Sequence, residues 1–513
     1  MTTQRPLPWR HRAFSTCVAL VLLSFAVLPI PAMASLSGPS AGSPAALDRV
    51  ASGVLAASSE DGVVVPLAVV DGFGRPIDLS APQFSARPAA NFWLGRRVGT
   101  IYHVRPFITG DGSGSDWVNA SNDLQAMIDA ASPGDQVWVA AGTYRPGPSN
   151  DRDSSFELKS GVAVYGGFIG NEQPGFDLGL RNFVLEETIL SGDLLGDDGQ
   201  QPIETDPATN TNVADNAFNV VDASGVGDGT ILDGFTITAG RADIYRAGAA
   251  DSLSGAGVFM DTGTLTVANC RFVGGQAGID ASGVQSGGGG AGIYAVDAAL
   301  TVANSAFLAG YAFQGPSIFT SNTDLELTGC EFYENEATRL AGAIVSQGTL
   351  TMRDCLVADN VAFETFGGIY LQGPSTLERT TFLRNRAIQT ALGNAGGALY
   401  AAESPTANQV DVLDCSFSGN IAVFGGAVSS RVPLSIRRTR FESNTVKLKG
   451  AGIHVQNALA ESVVDSCNFI FNQAGDGIEP ELAETGHPQD KVGMARDGEI
   501  VVGDAGHVHA PEA

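Results

Sequence analysis

The stretch LTGCEFYENEATRLAGAI, residues 327–344, fits neither an amphipathic helix nor a simply alternating strand. Its elements return as LTMRDCLVADNVAFETFGGI at 350–369, VDVLDCSFSGNIAVFGGAV at 410–428 and LSIRRTRFESNTVKLKGAGI at 434–453. Aligned on Cys330, the anchor recurs as Cys270, Cys355, Cys415 and Cys467, and Ser305, Thr380 and Thr439 take its place in three further copies. Two residues later stand Phe272, Phe307, Phe332, Val357, Phe382, Phe417, Phe441 and Phe469. Three residues before it stand Val267, Val302, Leu327, Met352, Leu377, Val412, Ile436 and Val464. Successive copies are mostly 25 residues apart, stretching to 35 where a loop is inserted. A period of this size signals a solenoid.

Each part of the repeat has a physical reading. Before the anchor, apolar residues alternate with Thr, Glu, Asp, Ser and Arg, as in a strand with one face buried. Immediately before it come Asn269, Asn304, Gly329, Asp354, Arg379, Asp414, Arg438 and Ser466. Asn, Gly and Asp tolerate left-handed backbone, so a sharp bend is expected there. A second short strand follows, with the anchor and the Phe pointing inward. Asn335, Asn360, Asn385, Asn420, Asn444 and Asn472 recur three residues past the Phe position, where stacked carboxamides can bond from layer to layer. A third strand centres on Val258, Ile293, Ile318, Ile344, Ile369, Leu399, Val428 and Ile453, each preceded by Gly, Ala or Ser.

Three strands and three bends per coil make a parallel β-helix that rises about 4.8 Å per coil, the spacing of paired strands. Its coils bury their apolar ladders on one another. A leucine-rich solenoid has a similar period but needs regularly placed Leu and a helical convex side, neither of which is evident. The expected fold is therefore all-β, a right-handed parallel β-helix solenoid with a short N-terminal capping helix.

The chain has 513 residues and a formal net charge of −26, from 29 Lys and Arg against 55 Asp and Glu. Phosphate binding needs a basic face, so nucleic acid is excluded as a partner. Arg5, Arg10, His11 and Arg12 precede an apolar run over 13–30, and AMA at 32–34 offers a cleavage site before Ser35. Residues 1–34 thus read as a signal peptide, with an uncleaved anchor as the alternative. No later segment reaches membrane-spanning length, so no transmembrane helix is expected in the mature chain. Residues 35–98 are rich in Ala, Ser and Pro and read as a flexible linker.

The β-helix is expected over 99–472. Residues 99–144 form a cap whose Ser121-Asn122-Asp123 precedes a helix with Leu124, Met127 and Ile128 on one face. Irregular early coils occupy 145–250 and regular repeats 251–472, leaving 473–513 as a polar tail. The cap covers apolar surface and unpaired backbone at the open first coil. The five Cys beyond the signal peptide are spread along the repeats with no C-x-x-C pair. They read as buried free thiols rather than a disulfide framework or a zinc site.

The segment 101–144 resembles the start of secreted pectate-lyase-like β-helix proteins. The repeats resemble polymorphic outer membrane protein repeats, marked by GGA[ILV] and FxxN. Here these are GGAL at Gly396, GGAV at Gly425, and FYEN, FLRN, FSGN, FESN and FIFN at Phe332, Phe382, Phe417, Phe441 and Phe469. This resemblance implies a surface location and adhesion, with an extracellular glycan or surface protein as partner. Members that insert themselves into an outer membrane end in a barrel, whereas 473–513 has no barrel-like strand pattern, so attachment is expected by other means. The pectate-lyase-like resemblance also admits a polysaccharide lyase or a glycoside hydrolase as the alternative. A hydrolase needs paired carboxylates across a cleft. No Asp-Asp pair joins a Gly-His-Gly and an Arg-x-Lys here, nor does a lyase set of calcium-binding Asp residues with a paired Arg.

Two candidate sites remain. Residues that follow the aliphatic ladder alternate to the opposite face, so Phe259, Tyr294, Phe319, Tyr370 and Tyr400 are expected as an exposed aromatic ligand-binding face. The Gly-rich loop LSGDLLGDDG offers Asp193, Asp197 and Asp198, oxygen ligands that suit Ca2+, with a solvated acidic loop as the alternative. No other cofactor is expected. His487, His507 and His509 of the tail make at best a weak metal site. Arg353 is expected to face Glu378, and Arg437 to face Asp465, as surface packing.

Overall fold

The computed structural model describes residues 99–173, 175–198, 212–243, 253–278, 287–388, 396–404, 409–455, 462–474, 493–494 and 500–502. The signal peptide and linker expected over 1–98, and the tail histidines, lie outside the described residues. The chain is a parallel β-helix. Its three-residue strands after the anchor pair in parallel with the same positions one coil on, Phe272 with Phe307, Phe332, Val357, Phe382, Phe417, Phe441 and Phe469 in turn. With three earlier strands they make eleven among the described residues, each of three or four residues, stacked from Gly142–Tyr144 to Asn468–Ile470 as the second sheet of the coil. Neighbouring Phe rings lie almost parallel, 4.6 Å apart for Phe272 and Phe307 and 4.5 Å for Phe382 and Phe417.

Both ends of that short strand turn sharply. All eight residues before the anchor have left-handed backbone, with φ between 48° and 63°. A second left-handed residue ends the strand: Ala309, Glu334, Asp359, Arg384, Gly419, Ser443 and Phe471. Side chains with a β-carbon bear a cost of about 1–2 kcal/mol in this conformation. At Arg379 and Arg438 a forked ion pair to the preceding coil offsets it. Arg379 donates to Asp354 at 2.7 and 3.0 Å, and Arg438 to Asp414 at 2.7 and 2.8 Å. Arg353 meets Glu378 at 3.2 Å as expected. Arg437 stands opposite Asp465 in register.

The division of the coil differs from the expectation. The presumed first and third strands are two halves of one sheet, continuous in Val258–Ala268, Ile293–Ala303, Ile318–Thr328 and Ile344–Arg353. Left-handed residues at Thr262, Asp297 and Asn322 kink these strands without turning them. The remaining sheet lies after the Asn position, in strands such as Gln276–Ala277, Tyr311–Gln314 and Glu336–Leu340. Its inward row is Ala277, Ala312, Ala337, Ala362, Ala387 and Ala422, all buried. Methyl groups leave the wall of the coil close to the rest of the core there.

The inside is apolar and regular. Val258, Ile293, Ile318, Ile344, Ile369, Leu399, Val428 and Ile453 are fully buried in one column. Cys270, Cys330, Cys355 and Cys415 are buried and unpaired, and Cys467 is half-buried and unpaired. Burial pushes the Cys415 thiol up to about 11 and Cys270 up to about 12, so both stay protonated and unreactive. Ser305 shows what the anchor must do, since its Oγ donates to the Ala303 carbonyl and accepts from Cys270 N at 3.1 Å.

The Asn residues form the expected ladder. Each Nδ2 donates to the Oδ1 of the next, at 2.9 Å for Asn335–Asn360 and Asn360–Asn385, 3.0 Å for Asn385–Asn420, and 2.9 Å for Asn420–Asn444. Each Oδ1 also accepts from the backbone N–H of the preceding Asn, and each Nδ2 donates to the Phe-position carbonyl one coil back. Buried turns thereby keep their backbone groups satisfied, a condition that folded proteins rarely relax.

The N-terminal end is closed as its sequence indicates. Asp123 caps helix Leu124–Ala130 by accepting from Ala126 N at 2.9 Å. Leu124 and Ile128 are buried in the main core, and Met127 packs on it. Strand Ile101–Val104 pairs with Gln136–Ala140, so the cap region already supplies the first layer. At the other end the tail is not strandless. Gly493–Met494 and Ile500–Val502 pair antiparallel, and the latter adds antiparallel to Ile453–Val455. No described helix is long and apolar enough to cross a membrane.

Candidate functional site

The aromatic column exists where alternation placed it. Phe259, Tyr294 and Phe319 stand in register on the outer side of the first sheet, opposite the buried Val258, Ile293 and Ile318. Their rings stack at 5.6 and 5.2 Å with planes within 8° and 7°. Val345 interrupts the column, and Tyr370 and Tyr400 resume it at 5.9 Å.

The expectation that all five rings stand uncovered is corrected. Phe259, Phe319 and Tyr400 are buried, and only Tyr294 and Tyr370 keep part of the ring in solvent. The cover comes from the turn that leads out of the third sheet. Phe366 stacks on Tyr400 with centroids 3.9 Å apart, and Leu340 and Ala341 pack beside Phe319 and Val345. Leu340 also reaches the Tyr370–Tyr400 group, which joins the two halves of the column. Burial raises the Tyr294 and Tyr370 hydroxyls above their ordinary value and takes Tyr400 to about 12. These phenols are therefore neutral hydrogen-bonding groups at any physiological pH.

Reading the sequence missed Phe366, although a signal was present. Phe366 and Phe424 each precede a Gly-Gly pair, and each stacks on the column residue of the next coil, Phe424 on His454 at 5.5 Å. A second row was also missed. Beyond the kink, Thr266, Thr301, Glu326, Thr351 and Thr376 stand in register and outward, Glu326 exposed and the four Thr half-buried, between the buried Leu265 and Val267 and their counterparts. Ser321 and Gln347 lie in register between the two rows. The outer face of the first sheet thus carries a partly open aromatic column flanked by hydroxyl and carboxamide groups on rigid strands.

The acidic loop is a separate place, after strand Thr188–Ser191 of the second sheet. Asp193, Asp197 and Asp198 each turn a carboxylate oxygen inward so that these oxygens lie within 4.8 Å of one another. The loop folds around Asp193, whose Oδ1 accepts from Gly196 N at 2.6 Å and Asp197 N at 3.2 Å. Burial raises Asp198 to about 6, and the charges of Asp193, Asp215 and Asp197 push it in the same direction, against a hydrogen bond from Asn216. Asp215 and Asn216 went unremarked in the sequence.

No protein family and no curated protein matches the sequence. Solved structures with a similar course of the chain include a pectate lyase, Pel9A, at 14% identity and a TM-score of 0.39, covering 75% of this chain and 83% of that one. A rhamnogalacturonan lyase gives 11% identity and a TM-score of 0.39, covering 75% and 91%. PfbA, a surface adhesin of Streptococcus pneumoniae, gives 12% and 0.31, covering 71% and 92%. Values this low carry no argument about what this chain binds or does.

Proposed function

We propose that the chain is an exported binding protein that presents the outer face of its first sheet to an extracellular glycan or to a protein on a cell surface. The observation that supports this reading is the half-open pair Tyr294 and Tyr370, set in stacked aromatic columns and flanked by the polar row from Thr266 to Thr376. Sugar rings have an apolar face and a rim of hydroxyls. An aromatic surface beside donors and acceptors complements both parts. The solenoid holds these groups on paired strands, so little ordering entropy is lost when a ligand binds. The signal-like N-terminus and the Phe-x-x-Asn and Gly-Gly-Ala repeats fit export and surface display. The acidic balance of the chain fits a neutral or cationic partner.

The test is a glycan array, read beside binding to whole cells, with the wild-type chain and the double variant Tyr294→Ser, Tyr370→Ser. The expected result is selective retention by the wild type and its loss in the variant, with the melting temperature of both recorded. Undiminished retention by a folded variant would exclude this face as the site.

A further inference from the structure

Away from the aromatic face, the acidic loop carries a second and independent inference. Three carboxylates, of Asp193, Asp197 and Asp198, converge there, and Asp215 is held beside the loop by accepting from Leu195 N at 2.8 Å. None of the four forms an ion pair among the described residues. Arg145 reaches the loop but donates to the main-chain carbonyl of Asp193 at 2.6 Å rather than to a carboxylate. The sequence between Asp198 and Asn212 contains no Lys or Arg.

An acidic cluster alone would be a solvated loop. What distinguishes this one is Asn216, only 2% exposed, whose Nδ2 donates to Asp198 Oδ2 at 2.9 Å. That bond holds the carboxamide against the cluster, yet among the described residues its buried Oδ1 receives no hydrogen bond. Asp198 Oδ1, on the carboxylate it touches, is likewise buried and without a donor. Two buried oxygens that lack donors, beside three more carboxylates, leave a cation as the natural partner, because an unpaired buried acceptor costs about 1–3 kcal/mol and a buried charge more.

The donor set selects among cations. Ca2+ takes oxygen ligands at about 2.3–2.6 Å, so ligands across the ion are separated by about 4.6–5.2 Å, whereas Mg2+ at about 2.0–2.1 Å needs about 4.0–4.2 Å. The inward oxygens of Asp193, Asp197 and Asp198 lie within 4.8 Å of one another, close enough to share one ion of either size. What favours Ca2+ is the number of protein oxygens, because Mg2+ keeps several of its waters and takes only one or two carboxylates. Mixed carboxylate and carboxamide oxygens with no nitrogen or sulfur donor also suit a hard cation.

We propose that Asp193, Asp197, Asp198 and Asn216 bind one Ca2+, with Asp215 adding charge beside them, and that the ion fastens the loop after strand Thr188–Ser191 to the turn Val213–Asp215. The site is structural. It lies in the early coils, where the repeat is least regular and the Asn ladder is absent, and it ties together segments that side-chain stacking does not.

The test uses the full chain stripped with EDTA and then titrated with CaCl2 in a calorimeter, alongside Asp198→Asn, Asn216→Ala and the surface control Glu364→Gln. One saturable Ca2+ site is expected in the wild type and in Glu364→Gln, and affinity about tenfold to a hundredfold weaker in the other two. Thermal unfolding of the wild type with Ca2+, Mg2+ or EDTA provides a readout that needs no variant, and Ca2+ should raise the midpoint most. Absence of a saturable heat in the wild type overturns the proposal. So does equal affinity in the wild type and Asp198→Asn, which would assign the heat to general surface charge, and so does a midpoint indifferent to Ca2+.

Discussion

Replacing Asn385 by Ala removes the middle rung of the carboxamide ladder, and the consequences can be counted bond by bond. Four hydrogen bonds disappear. Asn385 Nδ2 donates to Asn420 Oδ1 at 3.0 Å and to the Val357 carbonyl at 2.8 Å, and Asn385 Oδ1 accepts from Asn360 Nδ2 at 2.9 Å and Asn360 N at 3.2 Å. Asn420 Oδ1 keeps the backbone N–H of residue 385, and Asn360 Nδ2 keeps the Phe332 carbonyl. The backbone N–H of Asn360 keeps nothing, at a residue that is fully buried. The orphaned N–H costs about 1–3 kcal/mol and each of the other three lost bonds about 0.5–1.5 kcal/mol more, which sums to about 5 kcal/mol. Asn472→Ala is the comparison. It ends the ladder half-exposed, so water can replace its bonds to Asn444 and to the Phe441 carbonyl, and the loss should be about 1 kcal/mol. Urea unfolding gives the two values, and hydrogen exchange at the Asn360 amide shows whether the damage stays in adjacent coils, as a one-dimensional stack requires. If Asn385→Ala costs no more than Asn472→Ala, the ladder does not stabilise the solenoid and the reasoning fails.

Three further outcomes are expected. Tyr400→Ala should cost about 3 kcal/mol or more in urea unfolding, because the ring is 4% exposed and stacked under Phe366, while the half-open Tyr370 should cost about half as much; equal and small losses would show that the column is not packed. Cys330→Ser should unfold within about 1.5 kcal/mol of wild type, since Ser305 already fills the equivalent place, and non-reducing mass measurement should find all thiols free; a Cys330–Cys355 bridge would contradict the assignment. Arg379→Gly removes an exposed ion pair and at the same time relieves a left-handed Arg, two effects of opposite sign, so the urea midpoint should move little; a large shift in either direction would show that one of these two effects has been misjudged.

The positions that face inward were legible because a stack of coils repeats its constraint. Every coil must present a residue of the same size to the neighbours above and below, so Phe272 and its counterparts recur at one place and Cys, Ser and Thr interchange at another. The bends were legible for a related reason: Asn269, Asn304 and Asp354 are residues that accept left-handed backbone. The division into sheets was not legible. Asp261-Thr262-Gly263 has the composition of a turn, yet the strands on either side continue in one sheet, because the neighbouring coil pairs with both halves. The third sheet was missed because its inward row is Ala. A methyl group carries too little apolar surface to mark a strand by itself, and it becomes core only through the coil that packs over it.

The two candidate sites were partly legible, and they fail in the same way. Strand alternation assigns Tyr400 to the outer side of its sheet, and the structure agrees. Alternation says nothing about what lies over that side. The cover is Phe366, which belongs to the preceding coil and reaches Tyr400 only when the two coils stack. Likewise the three Asp of the acidic loop are near neighbours in sequence, but Asn216, whose buried oxygen turns a charged loop into a candidate ion site, is 18 residues from Asp198. Both cases turn on a contact between residues from different turns of the chain. A periodic sequence announces the contacts that every coil repeats, and it leaves silent those made once. The cover over Tyr400 and the Asp198–Asn216 contact are of that second kind, whereas strand alternation alone already marks Tyr294 and Tyr370.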